Sequence, residues 1–234
     1  MCYSRSLLDL KNRIQILNKA MMRKHFFSFL CIGVLCLCAT AQDFSDIILP
    51  APVKTGGKPL MEALNDRQTI REFSEKELSV QDLSNLLWAS FGVNRAESGK
   101  RTAPSAMNRQ EIEIYVSLKS GIYLYDATKN VLKAIKQGDY RKDMGKQPFV
   151  ATAPLVLLLV ADYALMSERA TPERKDFYAA IDAGYISQNI YLFAASENMA
   201  TVALGSFDND LITGIIPFKD TQKIVITQAF GYVK

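Results

Sequence analysis

Thr171-Pro-Glu-Arg-Lys-Asp-Phe-Tyr-Ala-Ala-Ile-Asp-Ala-Gly-Tyr-Ile-Ser-Gln-Asn-Ile-Tyr-Leu-Phe-Ala-Ala-Ser-Glu-Asn198 is the stretch that decides how this chain folds. Thr followed by Pro is a helix start, with Thr as cap and Pro at the first helical position, where its missing N–H costs nothing. From Glu173 to about Asn198 there is no further proline, and Phe177, Tyr178, Ile181, Tyr185, Ile186, Ile190, Tyr191, Leu192 and Phe193 spread over most of the circumference. A helix apolar on most sides has to be covered nearly all round, either by a core or by a second subunit.

Strand patterns flank this helix. Leu155 to Val160 is a continuous aliphatic run after Pro154, the pattern of a strand buried on both faces. On the far side, segments near Thr201 to Leu204 and Ile224 to Phe230 close the chain as strands. Further upstream, Ile112, Ile114, Val116 and Leu118 alternate with Glu111, Glu113, Tyr115 and Ser117, which predicts a half-buried strand. Gly121 to Asp126 predicts a shorter strand in a hairpin with the segment after it. Ser79-Val80-Gln81-Asp82 resembles a capping box with Asp in the usual Glu place, and Val80, Leu83, Leu86, Leu87 and Phe91 share one helical face before Gly92. Leu60 to Asn65 predicts a short helix, and Asn94 to Met107 a polar loop. Residues 42–58 form an extended lead-in rich in Pro and Gly, and 59–234 the folded domain. Helices and strands mix without a strict βαβ rhythm, so the expected class is α+β with an antiparallel or mixed sheet.

The single His and the four Cys all lie early, at Cys2, His25, Cys31, Cys36 and Cys38. Met22-Arg-Lys-His25 is a basic start, Phe26 to Cys38 an apolar run, and Ala39-Thr40-Ala41 a small-residue cleavage site. Residues 22–41 therefore predict a signal peptide cut near Ala41 and export, to the periplasm, with 1–21 as an upstream extension. The apolar run is short for a membrane span, which needs roughly 20 residues; a retained anchor is the alternative. The exported chain would hold neither thiol nor imidazole. That excludes Ser-His-Asp and Cys-His catalysis, a Cys/His zinc site and a disulfide. It also changes the charge: without 1–41 the chain carries 22 Lys and Arg against 23 Asp and Glu, so the formal +4 of the whole belongs to the targeting segment. No concentrated basic face points to nucleic acid. Neither Gly-x-Gly-x-x-Gly nor a phosphate-binding Gly-x-x-x-x-Gly-Lys-Ser/Thr loop occurs.

Three constellations could carry chemistry. Arg67-Gln68-Thr69-Ile70-Arg71-Glu72-Phe73 places two guanidinium groups around a hydroxyl, suited to phosphate or an electron-rich ring edge. On spacing alone it reads more readily as a solvated charged face. Pro104-Ser105-Ala106-Met107-Asn108, before a strand, allows close backbone approach and offers donors and acceptors to a flat heterocycle; it is also ordinary loop chemistry. Ala203-Leu204-Gly205-Ser206-Phe207-Asp208, at the end of an expected strand, puts a glycine where a ring could lie against the main chain; locally it reads more readily as a strand-to-helix turn capped by Asp208.

In this order and separation the three motifs resemble those of the nitroreductase family of FMN-dependent oxidoreductases, over about Pro59 to Lys234. Leu86-Leu87-Trp88-Ala89, Gly121 to Asp126, and Ala183-Gly184 with Gln188-Asn189 look most like the azoline-dehydrogenase-like branch. The resemblance implies a nitroreductase-like fold with a mixed antiparallel sheet flanked by helices, and a homodimer whose long central helices pack together around two interfacial FMN sites. It implies that Arg67, Gln68, Thr69 and Arg71 hold the phosphate, ribityl chain and pyrimidine edge, with Arg71 near N1 and the C2 carbonyl. Pro104, Ser105, Ala106 and Asn108 would reach in from the partner. Leu204, Gly205 and Ser206 would lie near N5, and Gln147 would touch the ring or ribityl chain. No side chain is expected to be catalytic in its own right, since hydride exchange belongs to N5. Two departures stand out. Gln68 and Thr69 replace the family's Arg and Ser, and after Gly231-Tyr232-Val233 only Lys234 offers a C-terminal cation for the phosphate. The implied activity is transfer of hydride or electrons from a reduced donor, NAD(P)H or a non-nicotinamide compound, to a small nitro, quinone or azoline-type acceptor. The alternatives are a non-catalytic flavin- or ligand-binding module on the same fold, and a structural domain.

Overall fold

The structure is a computed structural model that describes residues 44–234. The expected upstream extension and signal peptide, and the first two residues of the lead-in, lie outside the described residues. In chain order the elements are β1 (Ile47–Ile48), α1 (Leu60–Asp66), α2 (Val80–Phe91), β2 (Val93–Arg95), β3 (Lys100–Arg101), β4 (Ile112–Ser117), β5 (Gly121–Asp126), β6 (Val131–Gln137), β7 (Leu155–Asp162), α3 (Pro172–Ser196), β8 (Met199–Leu204), α4 (Asn209–Ile215) and β9 (Gln222–Tyr232). The class is α+β, as the mixed patterning indicates. Seven strands form one sheet in the order β1-β6-β5-β4-β7-β9-β8, with every neighbouring pair antiparallel. Among the described residues no helix is long and apolar enough to cross a membrane.

β7 lies inside the sheet, and all eight of its residues are buried. Leu155, Leu157 and Leu159 face a core built with Leu83, Leu86, Leu87 and Phe91 of α2 and Ala179, Ala183, Ile186 and Ile190 of α3. Val156, Leu158 and Val160 face a second core with Met144, Val150, Ala200, Val202 and Ile212. A strand sandwiched between two apolar layers has no polar face, which is why its sequence does not alternate. The same double coverage corrects the expectation for β4. Tyr115 and Ser117 are buried along with Ile112, Ile114 and Val116, and Tyr115 joins the second core on the opposite face. The loop expected at 94–107 also contains structure, the small β2–β3 ribbon paired Val93 to Arg101 and Arg95 to Lys100.

Helix ends follow the local chemistry of their caps. Thr171 Oγ1 accepts from Arg174 N at 3.3 Å, and Asn198, with φ 55°, turns the chain out of α3 into β8. At α2, Ser79 Oγ accepts from Asp82 N at 3.0 Å, but Asp82 does not reach back to Ser79 N. The Tyr232 hydroxyl does so instead, donating to Asp82 Oδ2 at 2.6 Å and accepting from Ser79 N at 3.4 Å. The shorter Asp needs this relay where Glu would bridge directly.

α3 is half covered, not wholly. Asp182, Ala183, Ile186, Ser187, Ile190 and Ala194 are buried, whereas Phe177 is 55% and Tyr185 48% exposed. Of the two coverings the sequence allowed, the core supplies one side only.

Leu158 has no exposed surface and sits in the second core on the strand that both cores share. Leu158→Ala is expected to lower unfolding free energy by about 2–5 kcal/mol, read as a shift of the urea midpoint; a shift worth under about 1 kcal/mol on that same scale would mean the site collapses around the deletion.

Candidate functional site

Tyr191, in the closing turns of α3, joins two of the three constellations. Its hydroxyl accepts from Ala203 N at 3.0 Å and lies 3.2 Å from Thr69 Oγ1, with Arg67 over its ring at 5.4 Å. Ile70 N donates to Thr201 O at 3.1 Å, laying the Arg67–Arg71 segment along β8. One tyrosine thus binds the start of the opening motif to the strand that ends in Leu204-Gly205-Ser206.

Around that strand end the main chain is bare. A Cβ built on Gly205 meets nothing within 4 Å. Behind it, Ser206 O accepts from Lys146 N at 3.0 Å, so the segment carrying Gln147 abuts the turn. Gln147 Oε1 is buried with no hydrogen-bond partner, and such an orphaned acceptor costs on the order of 1–3 kcal/mol unless a ligand or water satisfies it. Asp208 also caps α4, accepting from Leu211 N at 3.1 Å, so the turn serves both purposes read from it.

Arg67 and Gln68 line a cleft of about 480 Å³, with Asp66, Ile70, Asn198 and Val233. Asp66 there is held by Lys58 at 2.7 Å, which keeps its carboxyl below the usual range, with Asn65 assisting. Arg71 is exposed beyond this cleft. Lys234 follows Val233, whose bridge to Phe73 brings the chain end beside the same opening motif.

Pro104 to Asn108 lie elsewhere. Ala106 N donates to Asp182 Oδ2 at 2.8 Å, and Asp182 precedes Tyr191 on α3 by nine residues, about 13.5 Å at 1.5 Å per residue. Within one protomer the structure therefore brings together Arg67, Gln68, Thr69, Gln147, Leu204, Gly205 and Ser206, but not Pro104, Ser105, Ala106 and Asn108. The second group is also less free than its sequence implies. Ser105 Oγ accepts from Gln110 N at 2.9 Å, and Asn108 Oδ1 from Gln110 Nε2 at 3.1 Å, leaving the Asn108 amide hydrogens without either of these partners. Met107, Asn108 and Gln110 all have positive φ, between 51° and 54°, a costly conformation for side-chain-bearing residues, tolerated where surroundings enforce it.

Beneath this turn is a group that motif reading missed. Glu111 has no exposed surface, and neither carboxylate oxygen finds a conventional donor. Burial, and then the Asp182 carboxyl beside it, push the Glu111 carboxyl up to about 7. Two carboxylates cannot donate to one another, so the pair hydrogen-bonds only when one keeps its proton. Tyr191 and Glu111 left no mark in the sequence beyond helix and strand periodicity, because their roles come from tertiary neighbours. A further cleft of about 480 Å³ lies between the lead-in, α1, α2 and α3 and is lined by Lys54, Trp88, Ala89, Asn189 and Phe193. Trp88 and Asn189, two of the residues on which the likeness to the azoline-dehydrogenase-like branch rests, both line it.

Comparison with known proteins shows the family and the fold. The profile of the nitroreductase family matches residues 64–232. A nitroreductase-like protein of Methanocaldococcus jannaschii is 31% identical over 171 residues, 69% of this chain and 85% of that one. A nitroreductase-like crystal structure from Ralstonia eutropha superposes with TM-score 0.78 at 35% identity, covering 84% and 93% of the two chains. The trifolitoxin operon protein TfxC of Rhizobium leguminosarum is 23% identical over 163 residues, 59% of this chain and 46% of its own.

The Glu111 carboxyl generates a pH test. Its folded value lies above the usual 4.5, so between those two values the folded state holds a proton that the unfolded chain has released. Stability then falls as pH rises through that window and levels off above it. Melting temperature should drop from pH 5 to pH 8 in the parent protein, and Glu111→Gln should remove most of that drop; an unchanged slope in the variant would place the proton elsewhere.

Proposed function

The chain belongs to the nitroreductase family, and from that premise we propose that it is an FMN-dependent oxidoreductase passing hydride or electrons from a reduced donor to a small conjugated acceptor. The observation that carries the reading is the convergence, through Tyr191, of Arg67 and Thr69 with the bare strand end at Gly205. The residues fit the cofactor on two counts visible in the fold. A flat ring can approach the Gly205 main chain, where a Cβ would meet only open space, and Gln147 Oε1 is a buried acceptor awaiting a donor.

In this reading Arg67, Gln68 and Thr69 grip the phosphate and ribityl chain, with Lys234 as a further cation at the chain end. Arg71 neutralises negative charge on the pyrimidine edge, which raises the potential of the bound group. Leu204, Gly205 and Ser206 present main chain to the ring, and Gln147 accepts a hydrogen bond from the ring or ribityl chain. FMN, when bound, supplies the hydride-exchanging N5 position. Thr69 and Tyr191 hold Arg67 and β8 in register, so that binding groups are in place before the ligand arrives.

Pro104, Ser105, Ala106 and Asn108 complete the site from a second copy of the chain. Two observations support a homodimer: these residues sit over two turns of α3 away from Tyr191 in their own protomer, and the flank of α3 carrying Phe177 and Tyr185 is uncovered. The acceptor class includes nitro, quinone and azoline-type groups. The last draws support from the branch-marking residues and from the likeness to TfxC, a protein of a toxin operon. Cleavage near Ala41 and work in the periplasm are part of the proposal. A donor other than NAD(P)H fits that compartment.

Gly205→Val separates this reading from a structural role. The new Cβ meets no atom of its own chain, beyond its two neighbours, within 4 Å, so melting temperature without flavin should hold while flavin bound per chain, read from visible absorbance, falls at least tenfold. Full flavin content in the variant would contradict the assignment, and a parent protein that stays colourless with added FMN would sink it. Flavin that binds but cannot be reduced by dithionite and reoxidised would favour the non-catalytic module.

A further inference from the structure

On the outer side of the Ala106–Arg109 turn lies a cleft of about 550 Å³ that no motif predicted. Three segments contribute a guanidinium each: Arg109 from the turn, Arg169 from the connection between β7 and α3, and Arg174 from the first turns of α3. No carboxylate lines it; Glu168 and Glu173 are neighbours in sequence but form no part of its wall. Among the described residues none of the three arginines makes an ion pair within 4 Å. The rest of the wall is largely apolar, with Met107, Met166 and Tyr178, and Met166 is buried. Arg174 is already oriented, lying over the Tyr178 ring at 5.1 Å and donating to its hydroxyl at 2.9 Å.

Three like charges kept together without counter-charge repel one another, and folding alone gives no reason to gather them. A guanidinium fork binds phosphate or carboxylate with two parallel hydrogen bonds, and methionine and tyrosine walls accept a flat ring. We propose that this cleft binds a small molecule carrying two or more negative charges on a flat apolar body, and that it is the site of the flavin's reaction partner. The second half of that statement rests on the FMN reading. Ala106, Met107 and Arg109 line the cleft, and Ala106 belongs to the turn that in the FMN reading reaches the neighbouring subunit's cofactor, so cleft and cofactor would share a wall. The negative charge can come from phosphate or from carboxylate groups, and the shared requirement is multivalent anion plus ring.

Calorimetric titration of the purified protein with phenyl phosphate, benzene-1,3,5-tricarboxylate and neutral benzamide tests this directly. Saturable binding is expected for at least one anion and not for benzamide, weakening as salt is raised. Arg109→Ala/Arg174→Ala should weaken it at least tenfold; both residues are exposed, and an unchanged circular-dichroism melt would show that the fold persists. Phenyl phosphate binding alone identifies a phosphate ester as the source, tricarboxylate binding alone a carboxylate, and both together the shared chemistry. No saturable anion binding by the parent protein, or equal binding by the double variant, would overturn the proposal. Visible absorbance of the same samples keeps the two readings apart: a colourless protein that binds anions refutes the flavin assignment and retains the anion site, whereas a yellow protein that binds none refutes the site alone.

Discussion

The packing of α3 against the sheet is the constraint on which the rest of the molecule depends. Ala179, Ala183 and Ala194 keep that contact short, and Ile186 and Ile190 fill it, so the helix shares one core with β4 and β7 along most of its length. Small residues at such a contact leave little freedom to slide or roll, since a close-packed interface has few alternative arrangements. Two polar side chains are thereby fixed at separate heights on a rigid rod. Asp182 holds the Ala106 turn at one height, and Tyr191 holds Thr69 and Ala203 at the other. The distance between the two halves of the candidate site is thus a property of the helix itself.

Charge follows the same geometry. Asp182 is tied to a backbone N–H and faces the buried Glu111, whose raised carboxyl keeps a proton near neutral pH. The strained Met107 and Asn108 backbone above them is over-determined by Gln110, which bonds Ser105, Asn108, Gly99 and Arg101 at once. In the proposed homodimer this turn would face the second subunit, and being rigid in advance would spare the affinity that ordering on association subtracts.

Much of this was legible in the sequence where local physics decides. The Thr171-Pro172 start, the Ser79 cap and the aliphatic run of β7 each depend on one or a few neighbouring residues, and each stands where the pattern put it. The features that could not be read depend on residues distant in the chain. Alternation is the signature of one covered face and so predicts Tyr115 facing solvent, yet Tyr115 joins a second core with Met144 and Val150 and packs edge-on against Phe218, all distant in the chain. Tyr232 completing the α2 cap, and Tyr191 joining Thr69 to Ala203, span 150 and up to 122 positions. The site motifs were visible as a set only through their likeness to a family. Their spacing alone could not tell that Tyr191 links Arg67 and Thr69 to the strand leading into Gly205, while the Ala106 turn is tied to Asp182 at a different height on the helix.

The central claim is that a complete site needs two copies of the chain, with α3 between them. Sedimentation of residues 42–234 after saturation with FMN, followed at flavin and protein wavelengths together, tests it most directly. The account predicts that flavin absorbance sediments with a species of twice the chain mass, at close to one flavin per chain. Flavin travelling at the mass of a single chain, or a dimer that carries none, would contradict it.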